Sequence, residues 1–374
     1  MPDRIYLKQT VFDAALDRIR RLYDEFDNIQ VCISGGKDST VTLNLTLMVA
    51  EERGRLPVDV LFIDQEAEWK MVIDHIRRVF ADIRIKPCWL QCPIKIFNAT
   101  STKEPWLMCW EPGAEWMRER EPDSVHENLF GTDRFAQLFR GILEHYWPTA
   151  PACHISGVRA EESPARARGL TTYATYKDIT WGKKQNAKLG HYAFYPIYDW
   201  SYTDVWKAIH DNAWDYCKIY DHMYQYGVPV RAMRVSNLHH ETAVHTLFYL
   251  QEVESDTWER LTKRIQGINT AGVLGAEQYW KPTELPNMFV DWFEYRDYLL
   301  ENLIEDVLTR DRFRKTFAAH DDRYGHDDKA MADLVSCEIS TILVNDFHFT
   351  KLSTFNASHI HSSKNRGARS GRRD

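Results

Sequence analysis

The sequence predicts an α/β fold, a parallel sheet with helices on both faces, followed by a mainly helical C-terminal extension. Strand-like stretches at 30–34, at the apolar run 58–63 and near 83–90 alternate with helix-period segments at 41–49 and 68–80. This β-α-β-α-β order fits a parallel sheet with right-handed crossovers. The 58–63 run is apolar almost throughout, as strands covered on both faces are. Beyond residue 215 the pattern changes to apolar stripes at helical spacing near 240–254, 256–266, 289–308 and 330–345.

In chain order, Val11, Ala14, Ala15, Leu16, Ile19, Leu22, Tyr23 and Phe26 draw one helical face. Strand residues Val31 and Ile33 then run into a glycine turn. The following helix carries Val41, Leu43, Leu45, Leu47, Met48 and Val49, apolar on most sides, and is stopped by Gly54 and Pro57. The second strand ends at Asp64. Trp69, Val72, Ile76 and Val79 set the next helix in register. Residues 91–132 are irregular and rich in Trp, Pro and acids, which reads either as a lid-like insertion or as a segment packed on the surface. Phe135, Leu138, Phe139, Ile142, Leu143 and Tyr146 mark a helix, and 153–158 a short strand. Residues 170–190, with Lys177, Lys183, Lys184 and Lys188, suit a basic flap or a solvated loop. Ser201 and Asp204 have capping-box spacing.

Two stretches carry chemistry. In Ser34-Gly35-Gly36-Lys37-Asp38-Ser39, placed where strand meets helix, the glycines let the backbone bend and bring its amides close to an anion. The helix N-terminus adds unpaired donors and the positive end of its dipole. Lys37 supplies charge and Ser34, Ser39 and Thr40 supply hydroxyls, so the expected target is phosphate. The string is not the G-x-x-x-x-G-K-[ST] of a γ-phosphate loop. In Gly157-Val158-Arg159-Ala160-Glu161-Glu162-Ser163, glycine permits a turn beside a ligand, arginine can fork onto phosphate and Ser163 can cap a helix. Ligands of such sheets gather at the carboxyl ends of the strands, where Ser34 and Asp64 both fall.

The first string resembles the SGGxDS pyrophosphate loop of the adenine-nucleotide α-hydrolase-like superfamily, a Rossmann-like group. It includes N-type ATP pyrophosphatases, ATP sulfurylase small subunits and phosphoadenylylsulfate (PAPS) reductases. The second resembles the G-x-R-x-x-E-S segment of sulfurylases and PAPS reductases, and lies roughly 120 residues downstream of the loop, as in that family. Pro196-Ile197-Tyr198-Asp199-Trp200, with Asp204-Val205-Trp206, is similar to a further segment of the same sulfur-assimilation branch. Met233-Arg234-Val235-Ser236, Thr246-Leu247-Phe248-Tyr249, Glu254-Ser255-Asp256-Thr257-Trp258 and Gly267-Ile268-Asn269 resemble a domain that follows the PAPS-reductase-like domain in bacterial and phage proteins of the immunoglobulin-binding regulator A group.

The resemblance implies a nucleotide-binding domain over 1–214, with its pyrophosphate loop at 34–39, a helical domain over 215–350 and a basic, disordered tail over 351–374. It implies ATP or PAPS held by Ser34, Gly35, Gly36, Lys37, Asp38, Ser39, Asp64, Gly157, Arg159 and Ser163. It implies further that Lys37, Asp38 and Arg159 act in catalysis and that Mg²⁺ sits near Asp38 and Asp64. The implied reaction is attack at the α-phosphorus with release of pyrophosphate. PAPS reduction is a second expectation, and a nucleotide-binding regulator acting with a ParB-like protein a third. No iron–sulfur cluster is expected, because the cysteine pairs that hold it in some reductases are missing, and the reductases' C-terminal E-C-G-x-H segment with its attacking cysteine is missing too, which ranks reduction lower. Cys337 instead lies in an apolar-periodic stretch. Asp64-Gln65-Glu66-Ala67-Glu68 departs from the Asp-Thr-Gly of sulfurylases and reductases, which weakens the sulfate-handling expectation.

Composition narrows the classes further. The chain has 374 residues and a net charge of −7, so it has no overall basic surface for nucleic acid. Weak, sequence-blind contact would fall to the tail, with Lys364, Arg366, Arg369, Arg372 and Arg373. Seven cysteines without a disulfide-framework spacing, and no signal or membrane-spanning stretch in the sequence, lead us to expect a cytoplasmic protein. Cys88 and Cys92, four apart, could be half of a metal or redox site, but no second pair at useful spacing follows, so they read as semi-buried thiols. His239, His240, Glu241 and His245 lack the three-or-four spacing that puts ligands on one helix face.

Overall fold

The computed structural model describes residues 7–98, 106–235, 237–239, 244–265, 268 and 285–324, with 335, 338, 339 and 342. These fall into two compact units. The first is drawn from Met1–Ile96, Leu107–Leu238 and Tyr249–Arg264, the second from Phe97–Trp106, His239–Phe248 and Ile265–Asp374.

The first unit opens with helix α1 (Val11–Glu25), whose Thr10 hydroxyl accepts from the Asp13 amide at 3.1 Å. Its Ala15, Ile19 and Leu22 face is fully buried. There follow β1 (Asn28–Ile33), α2 (Lys37–Glu52), β2 (Val58–Ile63), α3 (Lys70–Phe80), β3 (Ile85–Leu90), the short strands β4 (Ile94–Phe97) and β5 (Trp106–Cys109), α4 (Phe135–Tyr146), β6 (Ala152–Ser156), α5 (Pro164–Thr171), β7 (Gly182–Asn186), β8 (His191–Phe194), α6 (Tyr202–Asp211) and α7 (Ile219–Gln225). Helix α2 is buried along Val41, Leu43, Leu45, Leu47 and Val49, as its apolar sequence requires. Residues 215–238, assigned to the helical extension by their sequence, pack in this unit, with Ile219, Tyr220 and Met223 of α7 buried.

The main sheet has the order β3-β2-β1-β6-β8-β7. The pairs β2–β3, β1–β2, β1–β6 and β6–β8 are parallel, and only β7 runs antiparallel to its neighbour. Part of the 170–190 stretch is therefore an edge strand rather than a flap or loop. Its exposed Lys183 and Lys184 sit where charge discourages further pairing. Lys177 is held by Glu25 at 2.9 Å.

Strand β1 carries β2 on one side and β6 on the other. The chain leaves β1 toward β2 and comes back to β1's opposite side with β6, so the direction of winding reverses at β1. The crevice beyond the carboxyl ends of β1 and β6 is where open α/β sheets hold ligands.

In the second unit, helices α10 (Trp292–Leu303) and α11 (Val307–Tyr324) contribute Tyr295, Leu299, Leu300, Phe313 and Phe317 to a core completed by Ile304, Val335, Ile339 and Ile342. Buried Arg296 forks onto Asp321 and reaches Glu338, which also bonds His320. Helix α9 (Ser255–Arg264) and the second half of α8 (Val244–Val253) belong to the first unit. Cys337, His240, Glu241 and the 351–374 tail lie outside the described residues. Among the described residues no helix is long and apolar enough to cross a membrane.

Candidate active site

The turn after β1 is a braced loop. Gly35 has φ +72°, and a Cβ there would stand 2.7 Å from Val72 Cγ1, so both conformation and space call for glycine. The Ser39 hydroxyl accepts from the Ser34 amide at 3.1 Å and donates to the Gly36 carbonyl at 2.9 Å. Ser39 therefore closes the loop from inside, while Ser34 is exposed at its mouth. Gly36 takes the N-cap position of α2 without a side-chain cap. The Lys37 amide donates to the Tyr220 hydroxyl at 3.1 Å.

The second stretch meets the first here. A Cβ on Gly157 would lie 2.6 Å from the Asp38 carbonyl carbon and oxygen and 2.7 Å from the Ser39 nitrogen. Only glycine lets the end of β6 approach the start of α2 this closely. Arg159, 5% exposed, places Nε on Asp38 Oδ1 at 2.5 Å and Nη1 on Glu161 at 3.0 Å and the Trp200 carbonyl at 3.3 Å. Its guanidinium positions Asp38. Lys37 is just as buried, with Nζ 3.1 Å from the Met233 carbonyl, 3.3 Å from Asp38 Oδ2 and 5.2 Å from the Tyr220 ring centroid. Burial lowers the Lys37 ammonium below its ordinary value and the Asp38 charge opposes that. Burial likewise pushes the Tyr220 phenol up, so it stays a neutral partner. Ser163 accepts from the Arg166 amide at 3.2 Å and caps α5.

Asp64 requires a correction. It is fully buried, and its oxygens accept from Trp89 Nε1 at 2.8 Å, Gln91 Nε2 at 2.9 Å, the Glu66 amide at 3.0 Å and Arg118 Nη2 at 2.5 Å. With that many donors, neither oxygen is left for a magnesium ion. Asp38 meets Arg159 through Oδ1 and Lys37 through Oδ2, one contact each, and is only partly buried. No group of three or more potential metal ligands occurs among the described residues. Asp64 therefore does not fit a protein-held metal.

Sequence reasoning missed the neighbours that explain Asp64. Glu66, 1% exposed, accepts from the Trp110 amide at 2.8 Å, the Met117 amide at 3.2 Å and Arg264 Nε at 2.7 Å. Trp110 Nε1 donates to the Asp64 carbonyl at 2.8 Å. The two acids thus pin residues 110–118 and α9 to the carboxyl end of β2, so this part of the insertion is anchored. Glu68, also buried, is pushed well above the usual carboxylate range by burial and by Asp64. The signal was there: three acids within five residues directly after a buried strand need partners.

With the geometry in hand, residues 28–226 match the model of the phosphoadenosine phosphosulfate reductase domain. The chain belongs to that family. Residues 227–358 match a domain of unknown function, DUF3440. The two partners of Lys37 fall on either side of the join, Tyr220 in the PAPS reductase domain and Met233 in the following one. An uncharacterized protein of Escherichia coli strain K12, YbdN, is 29% identical over 333 residues, covering 85% of this chain and 80% of its own. Among solved structures, the PAPS reductase of Candida auris is 15% identical with a TM-score of 0.35, over 64% of this chain and 99% of that one. An FMN adenylyltransferase of Candida glabrata is 14% identical with a TM-score of 0.35, over 58% of this chain. The match spans only 62% of that enzyme's length.

Proposed function

We propose that this PAPS reductase-domain protein binds ATP at the Ser34–Ser39 loop and cleaves it between the α- and β-phosphates. The observation that supports this most is the seating of Gly157 against the Asp38–Ser39 backbone, which joins both motifs into one cradle at the point where the sheet reverses. An acceptor oxygen attacks the α-phosphorus, the bond from that phosphorus to the bridging oxygen breaks, pyrophosphate leaves, and the acceptor's proton passes to solvent. The protein's part is to hold the leaving group and neutralise its charge. The exposed Ser34 hydroxyl and the loop amides other than those of Ser34 and Lys37, which already donate to Ser39 and Tyr220, serve that task. Lys37 joins by exchanging the neutral Met233 carbonyl for a phosphate oxygen, which also relieves its burial. Arg159 keeps Asp38 oriented. Magnesium belongs to this reading as a companion of the nucleotide's phosphates, not as an ion held by Asp64.

Thiol attack on a sulfonucleotide is less well supported among the described cysteines. Burial pushes Cys32 and Cys217 up to about 12 and Cys92 up to about 11, the opposite of an activated nucleophile. The regulatory reading, with a ParB-like partner and a tail touching nucleic acid, draws on one observation: Lys37 is already engaged by the chain's own Tyr220 and Met233. Incubation with Mg²⁺ and ATP, with products identified by mass, separates these. Pyrophosphate with AMP or an adenylylated acceptor is expected. ADP and phosphate contradict the proposal, and ATP recovered intact under binding conditions supports the regulator.

A further inference from the structure

Beside the anchored insertion lies an open cavity of about 480 Å³ walled by Trp116, Arg118, Glu119, Arg120 and Arg260. Three guanidinium groups face one carboxylate. Arg118 uses Nη2 on Asp64, yet its Nε and Nη1 are buried without a hydrogen-bond partner among the described residues. Arg120 uses Nη2 on the Trp110 carbonyl at 3.1 Å, and its buried Nε is likewise unpartnered. Arg120 and Arg260 form no ion pair among the described residues. Buried donors left without acceptors cost free energy unless something arrives to meet them.

The donors are also held in place. The Arg120 guanidinium sits 4.2 Å from the Trp116 ring centroid and 5.8 Å from that of Trp110, and Arg118 sits 4.9 Å from the Trp110 centroid. Indole faces fix guanidinium planes without using their hydrogen bonds, which leaves Arg118 Nε and Nη1 and Arg120 Nε available to an oxyanion. Burial, with no carboxylate bonded to it, lowers the Arg120 guanidinium.

We infer that this cavity binds the phosphate group of a small organic phosphate monoester. The volume falls within the roughly 300–1,000 Å³ of small-molecule sites, larger than a bare phosphate needs. Placement suggests its role: Arg118 is anchored on Asp64, just past β2, and Ser34 lies just past β1, the strand paired with β2. The phosphate ester is thus the acceptor for the proposed adenylyl transfer. That role rests on the proposed function, while the binding itself does not.

Calorimetric titration of the full chain with phenyl phosphate, at constant ionic strength, tests the inference. Saturable binding is expected, weakened about tenfold or more in Arg260→Ala and in Arg120→Met, and unchanged in Ser34→Asp, which disables only the nucleotide loop. Arg260 is exposed, so its variant should melt like the parent. Phenyl sulfate, with the same shape and less charge, should bind more weakly. Absence of saturation, equal affinity in Arg260→Ala, loss in Ser34→Asp, or tighter binding of phenyl sulfate would each overturn it. Because Ser34→Asp is silent here, failure of the nucleotide reading leaves this result standing.

Discussion

Replacing Gly157 with alanine should damage both stability and nucleotide binding. The added Cβ meets Asp38 backbone atoms at 2.6 Å and Ser39 N at 2.7 Å, where carbon contacts settle at about 3.5 Å or more. Something must move by roughly 0.9 Å, and backbone on both sides leaves no flexible side chain to give way. Overpacking of this kind costs about 1–3 kcal/mol. A unit of this size loses roughly 2–4 °C of melting temperature per kcal/mol. The displaced element is the start of α2, and a misplacement near 1 Å at a reacting centre costs about 100-fold in rate. Gly169 on α5, where a Cβ would meet nothing within 4 Å, is the control, and Gly169→Ala should be neutral or slightly stabilising. Thermal melts and ATP titrations of both variants decide the matter. A Gly157→Ala protein that melts and binds ATP like the parent refutes the reasoning.

Other outcomes follow from single contacts. Asp64→Asn leaves Arg118 without its charged partner and should cost roughly 3–5 kcal/mol in stability, read by urea denaturation, with no dependence on added Mg²⁺. Tyr220→Phe frees the Lys37 amide and should tighten pyrophosphate binding by up to about tenfold, measured by calorimetry; weaker binding would make the hydroxyl part of the site. His154, buried against Gln30, is lowered from 6.5 to about 3 by burial and then by His191. Its unfolded form therefore takes up a proton that the folded form refuses, and stability contributed above pH 6.5 is lost as pH falls toward 3, at about 1.4 kcal/mol per pH unit. His154→Gln should make the acid limb of the stability profile shallower by one proton; an unchanged limb counts against this source.

The central strand β2 was legible because a strand covered on both faces must be apolar, and the expected 58–63 is Val58–Ile63; β3 is an edge strand with exposed Lys86 and Pro87, and it starts at Ile85 rather than at 83. Strand β8 is four residues long and β7 is polar, so neither leaves a periodic trace. The glycines at 35 and 157 signal close approach by type alone. What they approach, Val72 and Asp38, is set by tertiary packing. The run of three acids after β2 showed that partners were needed, but which ones was illegible for the same reason: the Asp64 donors Trp89, Gln91 and Arg118 lie 25, 27 and 54 residues away. Tyr220, 183 residues from Lys37, carried no local signal either.

The most direct test of the phosphate cradle is competition between ATP and inorganic pyrophosphate on the full chain, with and without Ser34→Asp at the exposed mouth of the loop. One shared site, with both ligands lost in the variant and its melting unchanged, is the predicted result. ATP binding that ignores pyrophosphate, or that survives a carboxylate at position 34, contradicts the account.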